Sequence, residues 1–335
     1  MMNRANKKSK TERNLVNIFF LLAVLVTWAI QFLPMDILER IIDSNIIVNS
    51  AISELMIVIP ALLMLIVWYF IQIKKEAYDD DYTAVRISDR LMYRSVKPTT
   101  ILMSILYTFT ILPLVTLFNL LTMLFVDNTV LEYSVDIIDM SIPAAIFTIA
   151  ILPAMCEEFA FRGFAYGGYR RECRPAGAIL MSAFLFGLIH GNLNQFAYAF
   201  VIGIALALLV EATGSIWPSI LVHFIINSRA VVGMFLLEHI QSGIFEEYLN
   251  GNYDDSESML VPILIYSVLS VITTLMAGAI ISWISEHEGR SNPLKAFTDS
   301  KLFKASRVSV WSLALIIGII GAVAEIVLTE IYAAM

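Results

Sequence analysis

Charge and cysteine are the scarce ingredients of this chain of 335 residues. Charged residues make up 15%, against about 25% in a soluble domain. Hydrophobic residues reach 59%, and mean hydropathy is +0.77. That balance excludes a soluble enzyme and a disordered chain. Two cysteines, Cys156 and Cys173, are too few for a disulfide framework. HExxH and G-x-S-x-G are both missing, and the aspartates sit in loops rather than in facing apolar spans. Basic residues are dispersed among loops, so nothing points to nucleic acid. No internal repeat or low-complexity tract is visible.

What is present is long apolar sequence. A spanning helix needs roughly 20 mostly apolar residues. Nine spans are read at about 15–34, 45–73, 99–126, 141–168, 176–194, 195–211, 216–237, 258–284 and 310–333. The fifth and sixth are short, separated by Gly191, Asn192 and Asn194. The fold class is therefore all-α and polytopic. The first span follows a basic start, is long and lacks a small-residue cleavage pattern, which makes it a retained anchor rather than a signal peptide.

Lysine and arginine set the expected topology, because cytoplasmic loops are enriched in them. Four regions hold Arg4, Lys7, Lys8, Lys10 and Arg13; Lys74, Lys75, Arg86, Arg90, Arg94 and Lys97; Arg162, Arg170, Arg171 and Arg174; and Arg290, Lys295, Lys301, Lys304 and Arg307. With nine spans these all fall on one side. Only Arg40 falls opposite, and Arg229 lies within a span. The opposite loops carry Asp127, Glu132, Asp136, Asp139, Glu246, Glu247, Asp254 and Asp255. The expectation is a cytoplasmic N-terminus and an outside C-terminus; eight spans would break the segregation. Arg86, Arg90 and Arg94 recur every four residues within Tyr82–Lys97. This is either an interfacial helix with its cations at lipid headgroups or an ordinary basic loop. Three regions are expected: 1–140 with three flanking helices, 141–237 as the catalytic core, and 238–335 with an outer loop and two further helices.

Ionisable groups inside spans are costly and mark function by default. The fourth span contains "CEEFAFRGF". Glu158 precedes Arg162 by four, the favourable order for a helical ion pair. Glu157 diverges from Glu158 by about 100° and has no local countercharge. In the fifth span, His190 follows Phe186 by four, with Ser182 on the same stripe. In the seventh, Ser219, His223 and Asn227 are spaced by four. Counting about 1.5 Å of rise per residue puts Glu157, His190, His223 and Asn227 at overlapping depths. A polar stripe can also be interhelical glue, and a lone histidine a packing residue. Glu54, Glu211, Arg229, Glu325 and Glu330 are read as structural or interfacial, and Cys156 as packing.

A carboxylate beside imidazoles and an amide suits activation of water. Glu157 would be the general base, His190 would share the water or the proton, and His223 and Asn227 would stabilise an oxyanion. Glu157, His190 and His223 equally resemble a two-His, one-Glu metal site such as one for zinc. The residues do not separate these schemes, so a divalent metal and no cofactor both stand.

These motifs resemble the CPBP family of intramembrane proteases, which includes the type II CAAX prenyl proteases and bacteriocin-processing proteins. "EEFAFR" is similar to its EExxxR, placing Glu157, Glu158 and Arg162; "FGLIH" to FxxxH, placing Phe186 and His190; "HFIIN" to HxxxN, placing His223 and Asn227. Phe200–His223 resembles the family's small-residue helix and following turn, with Ala207 where a second glycine after Gly203 is common. The resemblance covers about residues 141–237 and implies a conical cavity open to cytoplasm and lipid. It implies Glu157 as catalytic base, Glu158, Arg162 and Phe186 as its support, and a small-peptide or lipidated-protein substrate at the bilayer (the cell membrane in a prokaryote). Two other classes remain: a non-catalytic immunity or scaffolding protein using the same cavity, and a proton-coupled transporter, which would be expected to show an inverted repeat.

Overall fold

The computed structural model describes residues 10–33, 46–79, 82–126, 128, 134–240, 259–299 and 308–333. Of the charges behind the expected topology, Arg4, Lys7, Lys8, Arg40, Asp127, Glu132, Glu246, Glu247, Asp254, Asp255, Lys301, Lys304 and Arg307 lie outside the described residues.

Nine apolar helices occur among the described residues: α1 (Thr11–Gln31), α2 (Ile46–Tyr78), α3 (Pro98–Thr122), α4 (Ile142–Glu172), α5 (Pro175–Leu188), α6 (Leu193–Thr213), α7 (Trp217–Ile240), α8 (Leu260–His287) and α9 (Leu313–Ala333). Eight are long and apolar enough to cross a membrane, and the chain is an integral multi-pass membrane protein. The exception is α5. Its 14 residues span about 21 Å, short of a hydrocarbon core about 30 Å thick. His190 follows in the turn that leads to α6.

Local chemistry sets the helix ends. Pro98 opens α3 and Pro175 opens α5, at a position where a missing N–H costs nothing. Asn192 caps α6, its side-chain oxygen accepting from the Gln195 N–H at 2.8 Å. Gly214 ends α6 at φ 68°, a left-handed conformation that glycine adopts without strain.

The irregular helix is α4, with widened π turns at Phe147–Ile151 and Glu158–Tyr166. Pro153 accounts for the first. It has no N–H to return to the Ile149 carbonyl four residues back, and its ring crowds that carbonyl.

Close packing of α5 on α6 uses missing side chains. A Cβ on Gly203 would stand 2.9 Å from the Ala183 Cα, and one on Gly187 would stand 2.9 Å from the Phe196 carbonyl oxygen. Small residues let membrane helices approach this closely. Accordingly α6 is central, with 67% of its apolar window buried; α8 and α9 bury 11% and 17%.

One end of the bundle gathers several connections. The Ser215 hydroxyl donates to the Arg94 carbonyl, and the Ile216 N–H donates to the Met92 carbonyl at 3.1 Å. Arg290 Nε donates to the Glu211 carbonyl at 2.9 Å, and the Val308 N–H to the Glu172 carbonyl at 3.1 Å. The basic 82–97 segment lies here, but not as an amphipathic helix at the headgroups. Only Ile87–Arg90 is helical. Arg86 and Arg94 are exposed, whereas Arg90 is fully buried. Arg90 donates to Glu12 Oε2 (3.0 Å) and to the Gly163 and Phe164 carbonyls (3.1 and 3.0 Å), with its guanidinium 4.9 Å from the Phe164 ring centroid. A guanidinium tolerates burial when carboxylate and carbonyl acceptors surround it. Those acceptors come from α1 and α4, and they pull Arg90 off the face that its spacing predicts.

Candidate intramembrane active site

Three helices supply the polar cluster. Glu157, Glu158 and Arg162 come from α4, Phe186 and His190 from α5 and the turn after it, and His223 and Asn227 from α7. Glu158 is fully buried and is the anchor. Its Oε1 meets Arg162 Nη1 at 2.8 Å and accepts from His223 Nδ1 at 3.0 Å. That bond fixes the imidazole from behind and turns its other nitrogen, Nε2, toward Glu157 Oε2 at 3.6 Å. Both groups are nearly enclosed, Glu157 at 9% and His223 at 4% exposure. With Nδ1 as the donor, a neutral imidazole presents Nε2 as an acceptor. Two acceptors then converge at a separation too long for a direct bond, which suits a proton donor such as water between them.

Phe186 is the hub beneath. Its ring centroid lies 4.1 Å from the Arg162 guanidinium carbon, 5.1 Å from the His190 ring and 5.9 Å from the His223 ring. His190 faces the same aromatic, and its Nδ1 is bonded to the Phe186 carbonyl at 2.8 Å. A carbonyl only accepts, so Nδ1 carries the hydrogen and Nε2 is left available. Asn227 is tied down differently: its Nδ2 donates to the Ile149 carbonyl at 3.1 Å. This is the carbonyl that Pro153 leaves without its usual helical partner. One break in the α4 backbone thereby orients a side chain of α7 and leaves a second amide N–H of Asn227 uncommitted. Ser219 bonds within its own helix, its hydroxyl donating to the Ile216 carbonyl at 2.8 Å.

The structure adds Glu54, which sequence reading left as structural or interfacial. It sits on α2, 6% exposed, and α2 packs against the Leu152–Glu157 stretch of α4. The available signal was an acid inside an apolar span, four residues after Ser50. Nothing in the spacing of α2 alone says that it faces α4.

A metal ion does not fit this donor set. Among the described residues no three His, Cys, Asp or Glu side chains stand close enough to hold one, the trio Glu157, His190 and His223 included. No step is drawn through a metal. A cleft of about 330 Å³ lies elsewhere, lined by Arg174, Gly177, Val308, Ser309, Val310 and Trp311.

Comparison with known proteins falls on these same helices. Residues 139–229 match the family described as Type II CAAX prenyl endopeptidase Rce1-like. That match spans the helices that carry the EEFAFR, FGLIH and HFIIN motifs. The protein "Putative membrane peptidase YdiL" of Bacillus subtilis (strain 168) is 28% identical over 106 residues, which are 32% of this chain and 42% of that protein. The chain thus matches less than half the length of that relative. No solved structure matches.

Proposed function

We propose that the protein is an intramembrane endopeptidase that hydrolyses a peptide bond in a membrane-associated or small peptide substrate, with Glu157 as general base. The observation that carries this reading is the pairing of Glu157 Oε2 with His223 Nε2 at 3.6 Å, while Glu158 holds His223 from the far side at 3.0 Å. A carboxyl group and a fixed imidazole aimed at one point are the arrangement that activation of water uses.

In the reaction, Glu157 takes a proton from water as the water oxygen bonds to the carbonyl carbon. The C–N bond then breaks, and the proton passes from Glu157 to the leaving nitrogen. His190 assists at the water through its free Nε2. The uncommitted amide N–H of Asn227, and His223 once its Nε2 carries a proton, stabilise the carbonyl oxygen as charge develops on it. Arg162 and Phe186 keep Glu158 and the two imidazoles in register. The proposed orientation has the N-terminus cytoplasmic, following the distribution of lysine and arginine.

The test is cleavage of a peptide library by the purified full-length protein and by Glu157→Gln, each with and without a strong chelator. Loss of cleavage in Glu157→Gln, with the wild type indifferent to chelation, is expected. Undiminished cleavage by Glu157→Gln overturns the reading.

A further inference from the structure

Glu54 has no assigned task, and its surroundings suggest one. Ser50 and Glu54 are one turn apart on α2. The Ser50 hydroxyl donates to the Thr148 carbonyl at 3.2 Å, which sets α2 alongside α4. The same helix also packs against the Leu152–Glu157 stretch of α4. The Glu54 side chain is 6% exposed, and its Oε2 has no hydrogen-bond partner among the described residues. Its charged neighbour is Glu157, a like charge.

The charges around it do not balance. Glu157 and Glu158 share a single arginine, Arg162, and Glu158 occupies it at 2.8 Å. His223 stands between Glu157 and Glu158. Glu54 therefore has no cation of its own among the described residues. A carboxylate enclosed without a countercharge is expensive, more so inside a bilayer, and such groups mark substrate pathways. Glu211 and Glu12, by contrast, each engage an arginine.

We propose that Glu54 is a substrate-recognition residue that receives a lysine or arginine side chain carried by the substrate close to its scissile bond. A cation there completes a pair that the protein leaves open, and it does so beside the carboxylate that activates water. Binding and placement are thereby coupled: a substrate with the charge in the right register brings its carbonyl to Glu157. Because α2 lies outside residues 139–229, the preference belongs to this chain's flanking helices rather than to the matched core. The proposal rests on the peptidase reading and narrows its substrate class.

The experiment uses the full-length protein and peptide pairs that differ only in lysine against norleucine, scanned along both sides of the cleaved bond. At one position the lysine peptide should be preferred, on the order of 30-fold in kcat/KM. In Glu54→Gln that ratio should fall to about one, and in Glu54→Lys it should fall below one. A ratio is immune to a general change in rate. Should Glu54→Gln fail to fold, Glu54→Asp keeps the charge and should keep the direction of the preference. The same ratio should appear without turnover, as binding of the peptide pairs to Glu157→Gln protein. A ratio near one at every position, or a preference retained in Glu54→Gln, overturns the proposal. Cleavage by Glu157→Gln would instead overturn the peptidase reading, so the two failures are told apart.

Discussion

Two buried acid clusters in this protein are wired in opposite ways. At the end of the bundle that gathers the basic loops, Glu211 accepts from Arg170 through both oxygens, at 2.7 to 3.0 Å, and also from the Tyr166 hydroxyl. Within the α4–α5–α7 cluster, Glu157 has one approach at 3.6 Å, and Glu158 Oε2 and Arg162 Nη2 lack a hydrogen-bond partner among the described residues, as does an oxygen of Glu54 on the adjacent α2. The first arrangement resembles an ordinary structural ion pair, in which desolvation is offset by complete pairing. The second leaves acceptors free at the place where a water and a substrate carbonyl would stand. Incomplete pairing at depth, rather than burial of charge as such, separates a candidate reaction site from a structural brace.

The sharpest way to break this comparison is to neutralise one acid from each cluster. Glu157→Gln keeps shape and removes the base. Activity should fall about 1,000-fold, while the thermal transition of the purified protein stays close to wild type. If that variant instead unfolds and the residual folded protein remains active, the two clusters are of one kind. Glu211→Ala should do the reverse. It strands the Arg170 charge and should cost about 3 kcal/mol of stability, measured by denaturation in mild detergent, with kcat of the folded fraction unchanged.

A backbone test lies between these. Gly203→Val puts a branched side chain where a Cβ already meets the Ala183 Cα at 2.9 Å. The α5–α6 contact must open, at a cost of about 2 kcal/mol. Because α5 leads directly to His190, kcat should fall with stability, which a shift confined to the Glu211 end would not produce.

The smallest effect concerns Glu288, a well-partnered carboxylate just beyond α8. Burial works against its charge. Hydrogen bonds from Thr100 and the Lys97 N–H, with the nearby Lys97 and Arg94 charges, outweigh that and hold its carboxyl below the ordinary carboxylate range. A group depressed on folding stabilises above its unfolded value, about 4.3, and loses that contribution as pH falls through its lower folded value. Wild-type stability should therefore decline in acid more steeply than that of Glu288→Gln, as read from melting temperature against pH.

Much of the architecture was legible in the residues. Apolar runs matched the nine helices among the described residues, and the fifth was expected to be short from the polar Gly191, Asn192 and Asn194 break, although its helix stops at Leu188, before His190. The Glu158–Arg162 contact followed from a spacing of four on one helix. Arg90 was not legible: its period-four neighbours Arg86 and Arg94 stay exposed, while Glu12 and two α4 carbonyls draw it inward. Glu54 was visible only as an acid in an apolar span, because its neighbour Glu157 belongs to another helix.

Sequence alone therefore determined which segments form apolar helices and which side chains share a helix face, since hydropathy and a period of 3.6 act within one segment. Tertiary structure decided the partners across helices: Glu158 behind His223, the Ile149 carbonyl holding Asn227, and α2, which carries Glu54, packed on the stretch of α4 that ends at Glu157. Those depend on the rotation and sliding of whole helices, which are set by close contacts such as Gly203 on Ala183 and by the interrupted backbone at Pro153. No single segment encodes them.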